Sequence, residues 1–154
     1  MACQSSLPVT TSSKSRMESW YRRFLLILAT GTFCLIPAEL ALSGHTEGFL
    51  QLIPFIVSGV AIVSIGIWHL NKSTASLVLM RVVMVLSCAA SVVGGIQHFL
   101  HNLELELEIR PGSVWTDVFV ETISGASPLL APGVLFLAGL MVLAAVHKWP
   151  SKMA

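Results

Sequence analysis

Charge is the scarcest feature of this 154-residue chain, since only 11% of its residues are Asp, Glu, Lys or Arg. Soluble domains contain about a quarter charged residues, so this chain has too few to cover a water-facing surface. Its hydrophobic fraction is 55% and its mean hydropathy is +0.81. The net charge of +1 excludes a basic nucleic-acid-binding protein and an acidic disordered chain. We therefore predict an integral membrane protein whose first partner is the lipid bilayer.

Cysteine is also scarce. Cys3, Cys34 and Cys88 are widely spaced and form no C-x-x-C pair, which excludes a disulfide framework and a dithiol redox enzyme. Cys34 and Cys88 lie in apolar runs, so we expect them to act as small packing residues.

Long apolar runs are abundant, and a spanning helix needs about 20 such residues. The predicted transmembrane helices cover about residues 24–42, 49–70, 77–100 and 129–146. The predicted fold is an all-α four-helix transmembrane bundle over residues 20–149. Residues 1–19 are rich in Ser and Thr and are predicted to form a disordered cytoplasmic tail.

The charges are distributed unequally between the two ends of this bundle. Seven of the eight acids fall on the outer side, Glu39 near the end of the first span and the other six in the two outer connections, with Arg110 as the only cation there. Lys and Arg in short loops mark the cytoplasmic side, so both termini are expected to be cytoplasmic in a multi-pass protein of the cell membrane. Eight of the nine basic residues fall at the inner end: Lys14, Arg16, Arg22, Arg23, Lys72, Arg81, Lys148 and Lys152. Four aromatic residues mark the same interface: Trp20, Tyr21, Trp68 and Trp149.

The segment after the third span has two readings. LELELEI at 103–109 alternates with period two, as a strand does, yet Glu104 and Glu108 share a helical face. We predict a helical extension that ends at Arg110-Pro111-Gly112, because Pro and Gly stop helices. Ser113 then caps a short helix to Ile123, which lies either in the outer membrane interface or as a lid on the bundle.

The third helix carries a row of small residues. Ser87, Ser91 and Gly95 are four apart, with Gly94 beside them. Small residues let transmembrane helices approach closely, so these four are the predicted helix-packing residues.

The same row, continued past the membrane, leads to a candidate metal site. His98, His101 and Glu104 follow on the third helix, and Glu39 and His45 are expected at the same depth. Imidazoles and carboxylates bind divalent transition metals such as Zn, Mn or non-haem Fe. The alternative is a solvated rim. A haem interpretation, with His45 and His98 outside and His69 and His147 inside, also stays open.

The last third of the chain carries a resemblance. GGIQHFLHNLELELEIRPG, then GASPLLAPG and a final HKWP, resemble the second half of small four-span bacterial membrane proteins of unassigned function. The resemblance implies a four-span fold and no particular activity or cofactor. It rests on these residues: His98, Asn102, Leu103, Glu104, Ala131, Pro132 and Gly133.

Three functions follow from the sequence. We favour a non-enzymatic accessory or scaffold protein that forms a homo-oligomer or joins a larger membrane complex, because no nucleophile, base and oxyanion donor can be assembled. The alternatives are a metal-binding protein or small metalloenzyme, and a haem-binding electron carrier.

Overall fold

The computed structural model describes residues 10–44, 46, 48–125 and 129–147. Within these ranges the chain is helical and contains no strand, which confirms the all-α prediction for the described part. Its helices are α1 (Thr10–Leu42), α2 (Phe49–Leu70), α3 (Thr74–Ile109), α4 (Phe119–Ile123) and α5 (Leu130–Ala145).

Three of these helices, α1, α2 and α3, are long and apolar enough to cross a membrane. The fourth apolar helix, α5, has 16 residues. It is therefore about 24 Å long, shorter than the roughly 30 Å hydrocarbon core of a bilayer.

The four apolar helices form a ring. α1 packs against α2 and α5, and α3 packs against the same two helices. The connections at 43–48 and 71–73 are short, so successive helices run in opposite directions. The short α4 packs on α3 outside this ring.

The core lies where the four helices face one another, and its largest fully buried side chains include Phe33, Met80, Met84 and Val142. The backbones of α3 and α5 approach closely at Gly139. A Cβ there would lie 3.3 Å from the Met84 carbonyl oxygen and 2.7 Å from Cys88 Sγ. A larger residue at this position would force Cys88 and the Met84 carbonyl to shift.

The helix boundaries correct two predictions. α1 begins at Thr10, so residues 10–19 are helical and not part of a disordered tail, whose residues 1–9 lie outside the described ranges. Once the apolar segment is helical, each added residue gains a backbone bond at little cost. The added turns also gain a Glu18–Arg22 ion pair of 2.6 Å and a Ser19 hydroxyl bond to the Arg16 carbonyl.

The second correction concerns the segment between α3 and α5. α3 continues to Ile109 and ends before Pro111 and Gly112, as predicted, with Gly112 at φ 93°. The following helix does not begin at Ser113, because residues 115–118 form turns and α4 starts at Phe119. At its other end, α3 starts at Thr74, where the Ser73 hydroxyl accepts a bond from the Ser76 N–H.

Candidate functional site

The end of the bundle that the sequence predicts to face outward, here called the outer end, is built around a buried amide. Asn102 lies on α3 and is fully buried, and its Nδ2 donates to the Thr122 carbonyl at 3.0 Å. Thr122, also buried, donates its hydroxyl to the Val118 carbonyl at 2.8 Å. A buried amide is stable only when it is hydrogen-bonded, so this contact fixes α4 on α3.

Close packing surrounds the Asn102–Thr122 contact. A Cβ on Gly125 would lie 2.8 Å from Asn102 Cγ, so only a glycine fits beside the amide. Val118 is fully buried, and the ring of Phe119 meets that of Phe99 edge-on at 6.2 Å. The α4 segment is therefore a fixed cap on the end of α3.

The guanidinium of Arg110 links α4 to the end of α3. Arg110 Nη1 lies 2.9 Å from Glu121 Oε1, and its Nη2 lies 3.9 Å from Glu106 Oε2. A hydrogen bond from its own backbone, followed by the bond from Arg110, lowers the pKa of the Glu121 carboxyl. The Glu121 carboxylate therefore stays ionised at neutral pH and keeps its charge beside Arg110.

The predicted metal ligands that the structure describes lie at this same end but differ in exposure. His98 is half-buried, whereas His101, Glu104 and Glu39 are exposed, and His45 lies outside the described residues. Within the described ranges, no three His, Cys, Asp or Glu side chains are close enough together to hold a metal ion. The metal site that includes His45 stays a prediction. The haem ligands predicted at the inner end, His69 and His147, are both exposed.

Of the four predicted helix-packing residues, three pack against other parts of the chain and Gly95 does not. Ser87 and Ser91 are buried, and each hydroxyl bonds to the carbonyl four residues earlier. A Cβ on Gly94 would lie 3.7 Å from Pro132 Cβ on α5, while one on Gly95 would meet nothing within 4 Å. Ser87, Ser91 and Gly94 thus serve packing within this chain.

Asn102 is the residue that sequence reasoning missed as a site residue. From His98 the inward face can be continued by three residues to His101 or by four to Asn102, and both steps suit a helix. The structure follows the second step, since Asn102 is fully buried and His101 is exposed. The signal available in the sequence was a single uncharged amide, Asn102, next to a run of glutamates.

At the opposite end of the bundle, predicted to be cytoplasmic and here called the inner end, two arginines bind the last carbonyls of α5. Arg22 Nη1 donates to the carbonyls of Ala145 at 2.6 Å and His147 at 2.9 Å, and Arg81 Nη2 donates to that of Val146 at 2.7 Å. The last carbonyls of a helix lack partners within it and carry negative partial charge. Arg22 on α1 and Arg81 on α3 therefore stabilise the end of α5 and bring basic residues from two helices to one end.

Helix α1 presents two opposite rows of side chains. Residues two apart on a helix differ by about 200°, so these rows lie on opposite faces. The row buried in the bundle comprises Ala29, Phe33, Ile36 and Leu40. The exposed row, here called the α1 outer row, comprises Gly31, Cys34, Ala38 and Ala41.

The described residues define an all-helical protein with three apolar helices of membrane-spanning length. No protein-family model matches the chain, and no curated protein or solved structure does either. The resemblance of its last third to small four-span bacterial proteins stays a prediction.

Proposed function

We propose that this chain is a four-span integral membrane protein with both termini on the cytoplasmic side of a bacterial inner membrane. The exposed surface of its apolar helices is covered by large apolar side chains such as Ile27, Val63 and Leu86, which suit lipid rather than water. The two arginines at the end of α5 and the acidic cap on α3 lie at opposite ends. This separation supports an orientation with the basic end inside.

Within that membrane, the protein acts as a non-enzymatic accessory or scaffold component that binds another protein laterally through helix α1. The observation that carries this proposal is the α1 outer row, because four small residues recur at helical spacing on the face opposite the bundle. Helices in lipid associate where small residues let their backbones approach, since lipid supplies no hydrophobic drive.

The exposed face of α3 is less suited to close approach. The exposed face of α3 carries branched side chains such as Val82, Val85 and Val93, which hold a neighbouring helix at a distance. Two of the predicted helix-packing residues of α3, Ser87 and Ser91, are buried against the chain itself. The α1 outer row is therefore the favoured contact for a second copy or a larger membrane complex.

Photocrosslinking beside the α1 outer row tests this function. Leu35 is 69% exposed and flanks the row, so a benzophenone maleimide on Leu35→Cys leaves the row small. The background carries Cys3→Ser, Cys34→Ser and Cys88→Ala. Irradiation of native membranes should give a protein adduct whose mass identifies the partner. The matched control is the same label on Val85→Cys, which should give lipid adducts alone.

A double substitution then distinguishes a specific contact from a random one. Gly31→Leu with Ala38→Leu should remove most of the Leu35→Cys protein adduct, because two large side chains separate the backbones. Lipid adducts alone at Leu35→Cys, or an adduct that survives the double substitution, would contradict lateral binding through α1.

A further inference from the structure

An exposed apolar surface lies on the outer cap. Five large side chains of α4 and the turn before it are exposed, with Val120 at 72%, although the ring of Phe119 also contacts Phe99 of α3. We call this the α4 apolar surface: Val114, Trp115, Phe119, Val120 and Ile123. The opposite side of the same segment holds the buried Val118 and Thr122, so the surface is presented by a segment that is fixed in place.

The height of this surface along α3 indicates what covers it. Arg81 contacts the end of α5 at the inner side, and Asn102 contacts Thr122 of α4. The two α3 residues are about 21 positions apart, so they are separated by about 32 Å along the helix. A bilayer has a hydrocarbon core about 30 Å thick. With Arg81 at the inner boundary, α4 lies at the outer boundary.

The side chains suit that boundary. Trp115 and Phe119 are in edge-on contact, with ring centroids 6.4 Å apart. Aromatic rings collect at the level of the lipid headgroups, where Trp places its N–H toward water and its ring toward the acyl chains. On the inner side, the Lys72 ammonium lies 5.4 Å above the buried Trp68 ring, so aromatic residues occur at both ends of the helices.

We propose that the α4 apolar surface is a membrane anchor that lies in the boundary between headgroups and acyl chains of the outer leaflet. The proposal rests on the proposed membrane insertion. The charges beside the surface are mainly acidic, with Asp117 and Glu121 against Arg110, so the surface suits zwitterionic rather than anionic lipid. The anchor fixes the height of the outer end relative to the bilayer. A lid that only covers the bundle would instead bury these side chains against the other helices.

Spin-label depth measurements test this anchor. The full chain, with its three natural cysteines replaced, is reconstituted in vesicles of palmitoyl-oleoyl phosphatidylcholine. Nitroxides are placed singly at Val120→Cys, at Val92→Cys in the middle of α3, and at Glu108→Cys on the α3 extension. The three native side chains are exposed, so the labels leave the core intact. Accessibility to oxygen is compared with accessibility to a water-soluble nickel chelate.

The expected order of the oxygen-to-nickel ratio is Val92→Cys highest, Val120→Cys intermediate and Glu108→Cys lowest, with Val120→Cys several-fold above Glu108→Cys. Equal ratios at Val120→Cys and Glu108→Cys would overturn the anchor while Val92→Cys still reports lipid. Protection of Val120→Cys from both reagents would also overturn it, because a protein partner then covers the surface. A water-exposed Val92→Cys would instead overturn the membrane insertion itself.

Discussion

At the scale of single residues, two glycines lie where a side chain would collide with its neighbours. Gly139 lets α5 approach α3, and Gly125 lies against the amide of Asn102. In both places a Cβ would come within 3 Å of another side chain, which real Cβ atoms essentially never do. The two positions therefore depend on the missing side chain and not on glycine's backbone freedom.

Gly139→Leu should overpack the contact between α3 and α5. We expect it to lower the free energy of unfolding in detergent by about 1–3 kcal/mol, the usual cost of forcing extra volume into a packed core. The matched control is Gly133→Leu in the same helix, where a Cβ would meet nothing within 4 Å. Titration with a denaturing detergent measures both variants. Equal stability losses in the two would contradict the close approach at Gly139.

Part of the candidate site could be predicted from the types and spacing of its residues. Ser87 and Ser91 were expected on an inward face because small polar residues recur at helical spacing, and both are buried. The burial of Asn102 in place of His101 could not be predicted. Steps of three and of four residues both suit a helix, and the choice depends on where α4 packs. The end of the bundle at which His98, His101 and Glu104 lie could be predicted from the sequence, but the exposure of each side chain could not.

At the scale of secondary structure, α4 depends on its contact with α3. A five-residue helix has too few backbone bonds to be stable alone. Its position comes from the bond between Asn102 and the Thr122 carbonyl and from burial of Val118. The α4 segment should therefore be the first part of the described chain to open when this contact is removed.

Asn102→Ala should release α4 without unfolding the bundle. The substitution removes the donor to the Thr122 carbonyl, a loss of about 1–2 kcal/mol for a buried hydrogen bond. The amides of Thr122 and Ser124, which bond to carbonyls four residues earlier, should then exchange about tenfold faster or more, as a loss of 1.4 kcal/mol implies. Gln97→Ala, an exposed position on the same helix, is the control. Unchanged exchange in Asn102→Ala would contradict the role of the amide.

Element boundaries were predictable where composition changes sharply. The bounds predicted for α2, 49–70, agree with those of the structure, because Gly48 precedes an apolar run and a polar Asn-Lys-Ser segment follows it. The start of α1 was missed because a polar helix stabilised by local contacts has no apolar face to detect. The hydrogen bonds from Arg22 and Arg81 to the end of α5 join residues more than 60 positions apart. A local sequence pattern does not specify such contacts.

At the scale of the whole molecule, the account depends on two chemically different ends. The inner end gathers Arg22 and Arg81 on the last carbonyls of α5. The outer end carries the acidic α3 extension and the α4 cap. Between them, α1, α2 and α3 expose apolar side chains along lengths that fit a bilayer. The proposed direction of insertion rests on the tendency of Lys and Arg to stay in the cytoplasm.

Cysteine accessibility on the two ends tests this arrangement most directly. Lys72→Cys and Glu108→Cys are made singly in the background without natural cysteines, and both native residues are exposed. A membrane-impermeant maleimide is applied to intact spheroplasts and then to permeabilised ones. We expect Glu108→Cys to react in intact spheroplasts and Lys72→Cys to react only after permeabilisation. Reaction of both positions from the same side would contradict the membrane-spanning arrangement proposed for this protein.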